Sequence, residues 1–194
     1  MGKRVYPSLT WRIPTEESKV YITFDDGPEE NITPWVLDEL AKHNAKATFF
    51  MVGENAKSNP ELVNRIVDEG HGIGNHTYHH IKGWGADTVE YIEDIAKCKE
   101  VIPPTKLFRP PYGRITSKSI DLLKDYHIIM WDVLSRDYKP NLNRDKAIEK
   151  IVEQTSPGSI VVFHDSKKAA ENLKYMLPKF LDYLSKNNYK MEAL

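Results

Sequence analysis

Two adjacent carboxylates, Asp25 and Asp26, stand at the end of an apolar run and directly before Gly27-Pro28. Val20, Ile22 and Phe24 recur at every second position, the period of a strand. The pair is therefore delivered to a strand end, and a Gly-Pro turn lets the backbone leave sharply and keeps the acids uncovered. A surface turn would give a similar string, so the pair alone does not define a site. Three other stretches raise its meaning: His76-Thr77-Tyr78-His79-His80, Arg109-Pro110-Pro111-Tyr112-Gly113 and Val162-Phe163-His164-Asp165. His76 and His80 are four residues apart. On a helical turn that spacing puts both rings on one face, with ~5–6 Å between Cβ atoms. Imidazole nitrogens bind zinc at ~2.0–2.1 Å, and one carboxylate would complete three protein ligands. The remaining coordination position is then open to water or substrate, as in a catalytic rather than a structural site. The expectation is one divalent ion, Zn2+ first, with Co2+ or Ni2+ as alternatives.

Strand-like and helix-like segments alternate from Val20 onward, the pattern of an α/β fold with a largely parallel sheet. Strands are expected at 20–24, 47–52, 71–75, 107–109, 127–132, 159–163 and 189–192. The first helix is expected to take Thr33 as N-cap and Pro34 at its first position. Others are expected from Asn59-Pro60 to Gly70, from Asp87 as cap to about Val101, from Ser117 to Lys124, from Asn143 as cap to Gln154, and over about Ala169–Ser185. Each reactive residue then falls just after a strand: Asp25 and Asp26, His76, Arg109, Asp137 and His164. In a barrel of parallel strands those ends share one face, where active sites collect.

The chain has 194 residues, 40% hydrophobic and 28% charged, which suits one full-sized core. With 27 basic and 28 acidic residues the net charge is -1, so there is no polycationic footprint for nucleic acid. The single cysteine, Cys98, allows no intramolecular disulfide and reads as a buried small hydrophobe. No run of ~18 apolar residues exists to span a membrane. Met1–Ser18 lacks the apolar core of a secretory signal. As the chain stands this suggests a cytoplasmic protein; a trimmed N-terminus would make it secreted or cell-wall-facing. Residues 1–18 are expected to be an extension packing on a single catalytic domain, 19–194. Oligomeric state is left open.

The ordered set T-F-D-D-G-P, H-T-x-x-H, R-P-P-Y-G and [apolar]-x-H-D, spread over residues 23–165, resembles the polysaccharide deacetylase (NodB-homology) family, carbohydrate esterase family four. The resemblance implies an irregular (β/α)7 barrel, TIM-barrel-like, and metal-dependent removal of acetyl groups from acetylated carbohydrates, foremost N-acetylglucosamine glycans of chitooligosaccharide or peptidoglycan type. Asp25 corresponds to the general base acting on the attacking water. Asp26, His76 and His80 correspond to the metal ligands, with Thr77 supporting their turn. Arg109 would hold Asp25 ionised, Tyr112 would offer its backbone N–H to the oxyanion, and His164, charged and oriented by Asp137, would protonate the leaving amine. Pro110, Tyr112, Tyr138, Val162 and Trp84 would meet the substrate, Val162 at the acetyl methyl and Trp84 as a stacking ring or lid in a flexible loop. Physically, amide hydrolysis needs a strong nucleophile, an oxyanion stabiliser and a proton donor. Metal and two proton-transfer groups supply these without a serine nucleophile, and no G-x-S-x-G is present.

The chain departs from the family pattern at Leu134 and Tyr138, where Asp and Trp are usual, and at Val162, where Leu is usual. These positions bear on substrate, as does Arg136, read either as a contact for an anionic substituent or as a solvated arginine. His43, His71 and His127 read as structural or exposed, and His79 as exposed or supporting the turn from behind. Trp35, Phe49, Phe50 and Phe180 read as core; Asp165 and Ser166 as support or plain loop. Competing functions are a metal hydrolase of another linear or cyclic amide or O-acetyl sugar, a non-catalytic carbohydrate-binding domain, and a glycosidase. The last is disfavoured because consecutive acids are poorly placed to flank a sugar at ~5–9.5 Å.

Overall fold

The computed structural model describes residues 8–194. Its strands are β1 (Lys19–Asp25), β2 (Ala47–Met51), β3 (Gly72–Asn75), β4 (Leu107–Phe108), β5 (His127–Ile128), β6 (Val133–Leu134), β7 (Ile160–His164) and β8 (Lys190–Met191). Between them lie α1 (Thr33–Lys42), α2 (Gly53–Ser58), α3 (Pro60–Asp68), α4 (Thr88–Lys99), α5 (Ser117–Leu122), α6 (Arg144–Gln154) and α7 (Ala170–Lys186). The strands pair in parallel in the order β5-β4-β3-β2-β1-β7-β6, with β8 added beside β1. This is a curled parallel sheet with helices, an irregular α/β half-barrel.

Alternation along β1 divides the core. Val20, Ile22 and Phe24 join the large apolar cluster that also takes in Leu37 and Leu40 of α1 and Phe180 and Leu184 of α7. Tyr21, by contrast, packs with Phe50, Ile129 and Ile160 in a smaller cluster on the other face. Thr23 and Asp25 share Tyr21's parity, so they belong to that inner face. Register then brings Asp25 of β1 level with His164 of β7 and Phe50 of β2. Between β5 and β7 the chain before β1 runs as a strap. Thr10 exchanges hydrogen bonds with Ile128 and Met130, and Ile13 donates to the Gly158 carbonyl. Residues 1–7 of the expected extension lie outside the described residues.

Several expectations are corrected. The strand expected at 127–132 extends only over His127–Ile128; Ile129 forms a bridge with Thr10, and the next strand, β6, begins at Val133, beyond the expected range. Among the described residues there are thus eight strands rather than seven, and Asp137 follows β6. Helix α2 was not expected; Gly53-Glu54-Asn55-Ala56-Lys57-Ser58 is too short and polar to show a helical period. Thr33 is not an N-cap. Ile32 holds that position, and the Thr33 hydroxyl instead accepts from the Glu29 N–H and donates to Asp165. The caps expected at Asp87 and Asn143 are present. Trp35 is only partly buried, against the outer core, whereas Phe49, Phe50 and Phe180 are buried. Among the described residues no helix is long and apolar enough to cross a membrane.

Candidate metal and proton-transfer site

The fully buried Arg109 organises the inner face. Its NH1 donates to Asp25 Oδ1 at 2.6 Å and to Thr23 Oγ1 at 2.7 Å, while Nε and NH2 donate to the carbonyls of Ile129 and Met130. Its guanidinium lies 4.0 Å from the centre of the Phe50 ring, so Phe50 is both core and a face for the cation. Burial by itself would raise the Asp25 carboxyl; the Arg109 charge and hydrogen bond, with the charge of His164, outweigh it and hold the group below the usual carboxylate range. Asp25 is therefore a buried carboxylate kept ionised.

Strict alternation would send Asp26 to the opposite face from Asp25. Asp26 has already left the strand, with φ 83°, and its Oδ1 comes 3.3 Å from His80 Nε2 and 3.9 Å from His76 Nε2. Asp26, His76 and His80 each offer one ligand atom, all within 4.8 Å of one another. Donors at about 2.0–2.1 Å from one tetrahedral ion lie roughly 3.3–3.5 Å apart, so this N,N,O set fits zinc-like coordination. His76 Nδ1 donates to the Arg109 carbonyl at 2.7 Å, which leaves Nε2 free to ligate. Burial drives the His76 pKa down to about 4, keeping the imidazole neutral as a ligand must be. The helical turn expected for His76–His80 is not formed. The segment is an irregular loop in which Thr77 (φ 63°) and His80 (φ 57°) adopt left-handed backbone, and that loop converges the rings. Thr77 supports it, its Oγ1 accepting from the Ile81 N–H at 3.2 Å.

Gly27 follows Asp26 because nothing larger fits: a Cβ there would lie 2.0 Å from Asp165 Oδ2. The buried Asp165 accepts from the Gly27 N–H at 3.0 Å and from the Thr33 hydroxyl at 2.6 Å. Burial pushes its pKa up to about 8. It anchors the Asp26 turn to α1, a support role that the sequence left open.

On the other flank His164 Nδ1 meets Asp137 Oδ1 at 2.7 Å, and Asp137 Oδ2 accepts the His164 backbone N–H at 2.8 Å. Burial alone would lower the His164 pKa, but the Asp137 charge and hydrogen bond override it and push it up to about 9. Asp137 is itself held by the Ser135 hydroxyl. Asn172 of α7 donates to the carbonyls of Asp137 and Lys139, and its own oxygen accepts from Arg144 of α6. Asn172 was not foreseen; its partners are 33 and 35 residues distant, and no spacing announces them.

The expected substrate residues divide. Tyr112 is 64% exposed, with φ 59° and its ring 4.7 Å from that of His80. Gly113 beside it also needs positive φ (65°), and a Cβ there would meet Trp131 at 2.8 Å. The half-buried Tyr138 sets its ring edge-on to His164. Pro110 is buried. Trp84 is 48% exposed but pinned rather than free: its indole N–H donates to the Ile115 carbonyl, and Arg114 stacks over its ring. Val162 is buried. It is the register partner of Thr23 on β1, which places it on the inner face, and its side chain has no accessible surface. Arg136 is exposed.

Residues 12–131 match the family model "Polysaccharide deacetylase". A peptidoglycan-N-acetylglucosamine deacetylase of Bacillus cereus is 38% identical over 160 residues, 79% of this chain; the match spans only 58% of the relative's length. A second enzyme of that name from the same species is 34% identical over 190 residues, covering 94% of this chain and 89% of the relative. Among solved structures, the Bc1960 peptidoglycan N-acetylglucosamine deacetylase, in complex with 4-naphthalen-1-yl-N-oxidanyl-benzamide, superposes with TM-score 0.92 at 32% identity, covering 99% of this chain and 94% of that one. With overall fold and sequence in agreement, this chain belongs to the polysaccharide deacetylase family.

Proposed function

We propose that this protein is a metal-dependent deacetylase that hydrolyses the N-acetyl groups of N-acetylglucosamine-containing glycans, of peptidoglycan or chitooligosaccharide type, to free amine and acetate. The observation that carries this reading is the convergence of Asp26, His76 and His80 beside an Asp25 carboxylate held ionised by Arg109. The relatives' names direct the substrate toward peptidoglycan, which would place the site of action at the cell wall. We assign the activity to residues 19–194 as one catalytic domain, with 1–18 as an extension.

Asp26, His76 and His80 would hold the ion, Zn2+ first; when bound, such an ion polarises the amide carbonyl and brings the pKa of water from 15.7 towards ~7. Asp25, ionised at neutral pH, takes the proton of the attacking water. Tyr112 offers its backbone N–H to the carbonyl oxygen as that atom gains charge. His164 holds a proton at neutral pH because Asp137 stabilises the imidazolium, and it delivers that proton to the leaving nitrogen. Each proton transfer is worth ~10²–10⁴ in rate. Tyr112, Tyr138 and Trp84 present the rings on which a sugar can rest, with Pro110 behind them.

The direct test is mass spectrometry of peptidoglycan fragments and N-acetylglucosamine oligomers incubated with the metal-loaded protein. Loss of one acetyl mass per residue is expected, and Asp25→Asn should abolish it while metal content stays near one ion per chain. Acetate release from small amides or O-acetyl sugars alone would redirect the substrate. No release from any acylated compound by metal-loaded protein would favour a binding domain.

A further inference from the structure

The loop carrying the two histidines pays for its shape in backbone strain. Thr77, β-branched, and His80 both sit at positive φ, a sparsely populated conformation that persists only where neighbours over-determine it. The neighbours are visible. From one side, the first residues of α2 take the loop's carbonyls: Gly53 N–H donates to Thr77 O at 2.9 Å and Glu54 N–H to Tyr78 O at 3.0 Å. From the other side, one carboxylate of α4 takes its amides. Asp94 Oδ2 accepts from the N–H groups of Tyr78 (2.8 Å) and His79 (2.9 Å), and its Oδ1 meets His79 Nδ1 at 2.5 Å. Asp94 is only 7% exposed, and its own backbone carbonyl also accepts the Tyr78 N–H, at 3.2 Å. On the same helix the Ile95 carbonyl accepts from Asn75 Nδ2, and Asn75 Oδ1 accepts the Thr77 N–H.

We propose that Asp94 is a positioning residue for the metal centre: its carboxylate, gripping two consecutive loop amides and the His79 ring, holds the loop in the strained form that brings His80 to the ion. Asp94 contacts neither the ion nor the substrate. The inference rests on the metal-site reading above. It also gives His79, which sits between the two metal histidines without joining their cluster, a role as the third grip on the same carboxylate. An uncharged acceptor of the same shape would serve. An Asn at this position can accept both amides through its oxygen and point its NH2 at the His79 ring nitrogen.

The test is Co2+ titration of the metal-free protein, read by visible absorption, which reports both affinity and coordination, alongside apo-protein thermal unfolding. Asp94→Ala should bind Co2+ ~10–100-fold more weakly, the range found when groups orienting metal ligands are removed, with an altered spectrum. Asp94→Asn should restore wild-type spectrum and affinity to within about threefold. Glu93→Ala, an exposed carboxylate removal on the same helix, should match wild type. Should Asp94→Ala fail to fold, Asp94→Glu, which keeps the charge but displaces the oxygens by one methylene, should still show weakened binding. Wild-type affinity and spectrum in Asp94→Ala, or in Asp94→Glu when it stands in, overturns the proposal. So does a loss in Asp94→Asn as large as in Asp94→Ala, which would locate the effect in charge, or an equal loss in Glu93→Ala. Wild-type protein that takes up no Co2+ overturns the metal-site reading and this inference together; tight wild-type binding that Asp94→Ala leaves unaltered overturns only the inference.

Discussion

The two flanks of the site are built by different means. Asp25 and His164 are register partners on adjacent parallel strands, so their separation is set by the sheet, and each is locked by a buried ion pair, with Arg109 and with Asp137. The metal ligands sit on loops. Asp26 and His80 have positive φ, both are partly exposed, and they are held by hydrogen bonds to the backbone around them rather than to their own side chains. Proton-transfer groups need fixed charge states, which burial and a partner supply. Ligands need a geometry that closes on an ion, which the regular angles of strand or helix do not give. The contrast implies that the strand flank carries fold stability, whereas the loop flank carries metal affinity.

Variants can break that contrast, ranked by their effect on the metal-free protein. Arg109→Ala should be largest. It strands the buried Asp25 carboxylate, and denaturant unfolding should show a loss of ~3–5 kcal/mol; a loss below about 1 kcal/mol would show the strand flank to be dispensable. Gly27→Ala should follow at about 1–3 kcal/mol, because the new Cβ drives into Asp165.

Asp137→Asn should be smaller in stability but clear in titration. In the metal-free protein the His164 proton, followed by NMR, should leave near pH 9, raised from the ordinary 6.5. A folded pKa above the unfolded value means that this pair's stabilisation is complete below about 6.5 and fades as pH rises through about 9. Removing the Asp137 charge should move the midpoint down, and a bound divalent cation should lower it too; an unmoved midpoint in Asp137→Asn would remove Asp137 from its role. Smallest should be His80→Ala, within about 1 kcal/mol of the parent in unfolding yet unable to retain metal. Full metal occupancy there would sink the ligand assignment.

Much of the site is legible without coordinates because its residues lie in compact strings. Asp25-Asp26 at a strand end, the paired histidines and His164 after an apolar strand are all local patterns. The rest depends on partners remote in sequence. Asp165 reaches back 138 residues to Gly27, Asn172 braces Asp137 from another helix, and Asp94 reads as an ordinary helix acid until the loop is seen against it.

By itself, then, the chain's order of residue types determined the α/β class, the strand-end location of the reactive groups and the family. These follow from periodicity and from chemistry that only a few side chains can perform. The tertiary structure alone decided how a loop, rather than a helix, closes two imidazoles on one carboxylate, and which buried groups brace it. Backbone strain of that kind is not encoded in the strained residues. It is stable only because hydrogen-bond partners from α2 and α4, brought near by folding, hold it in place.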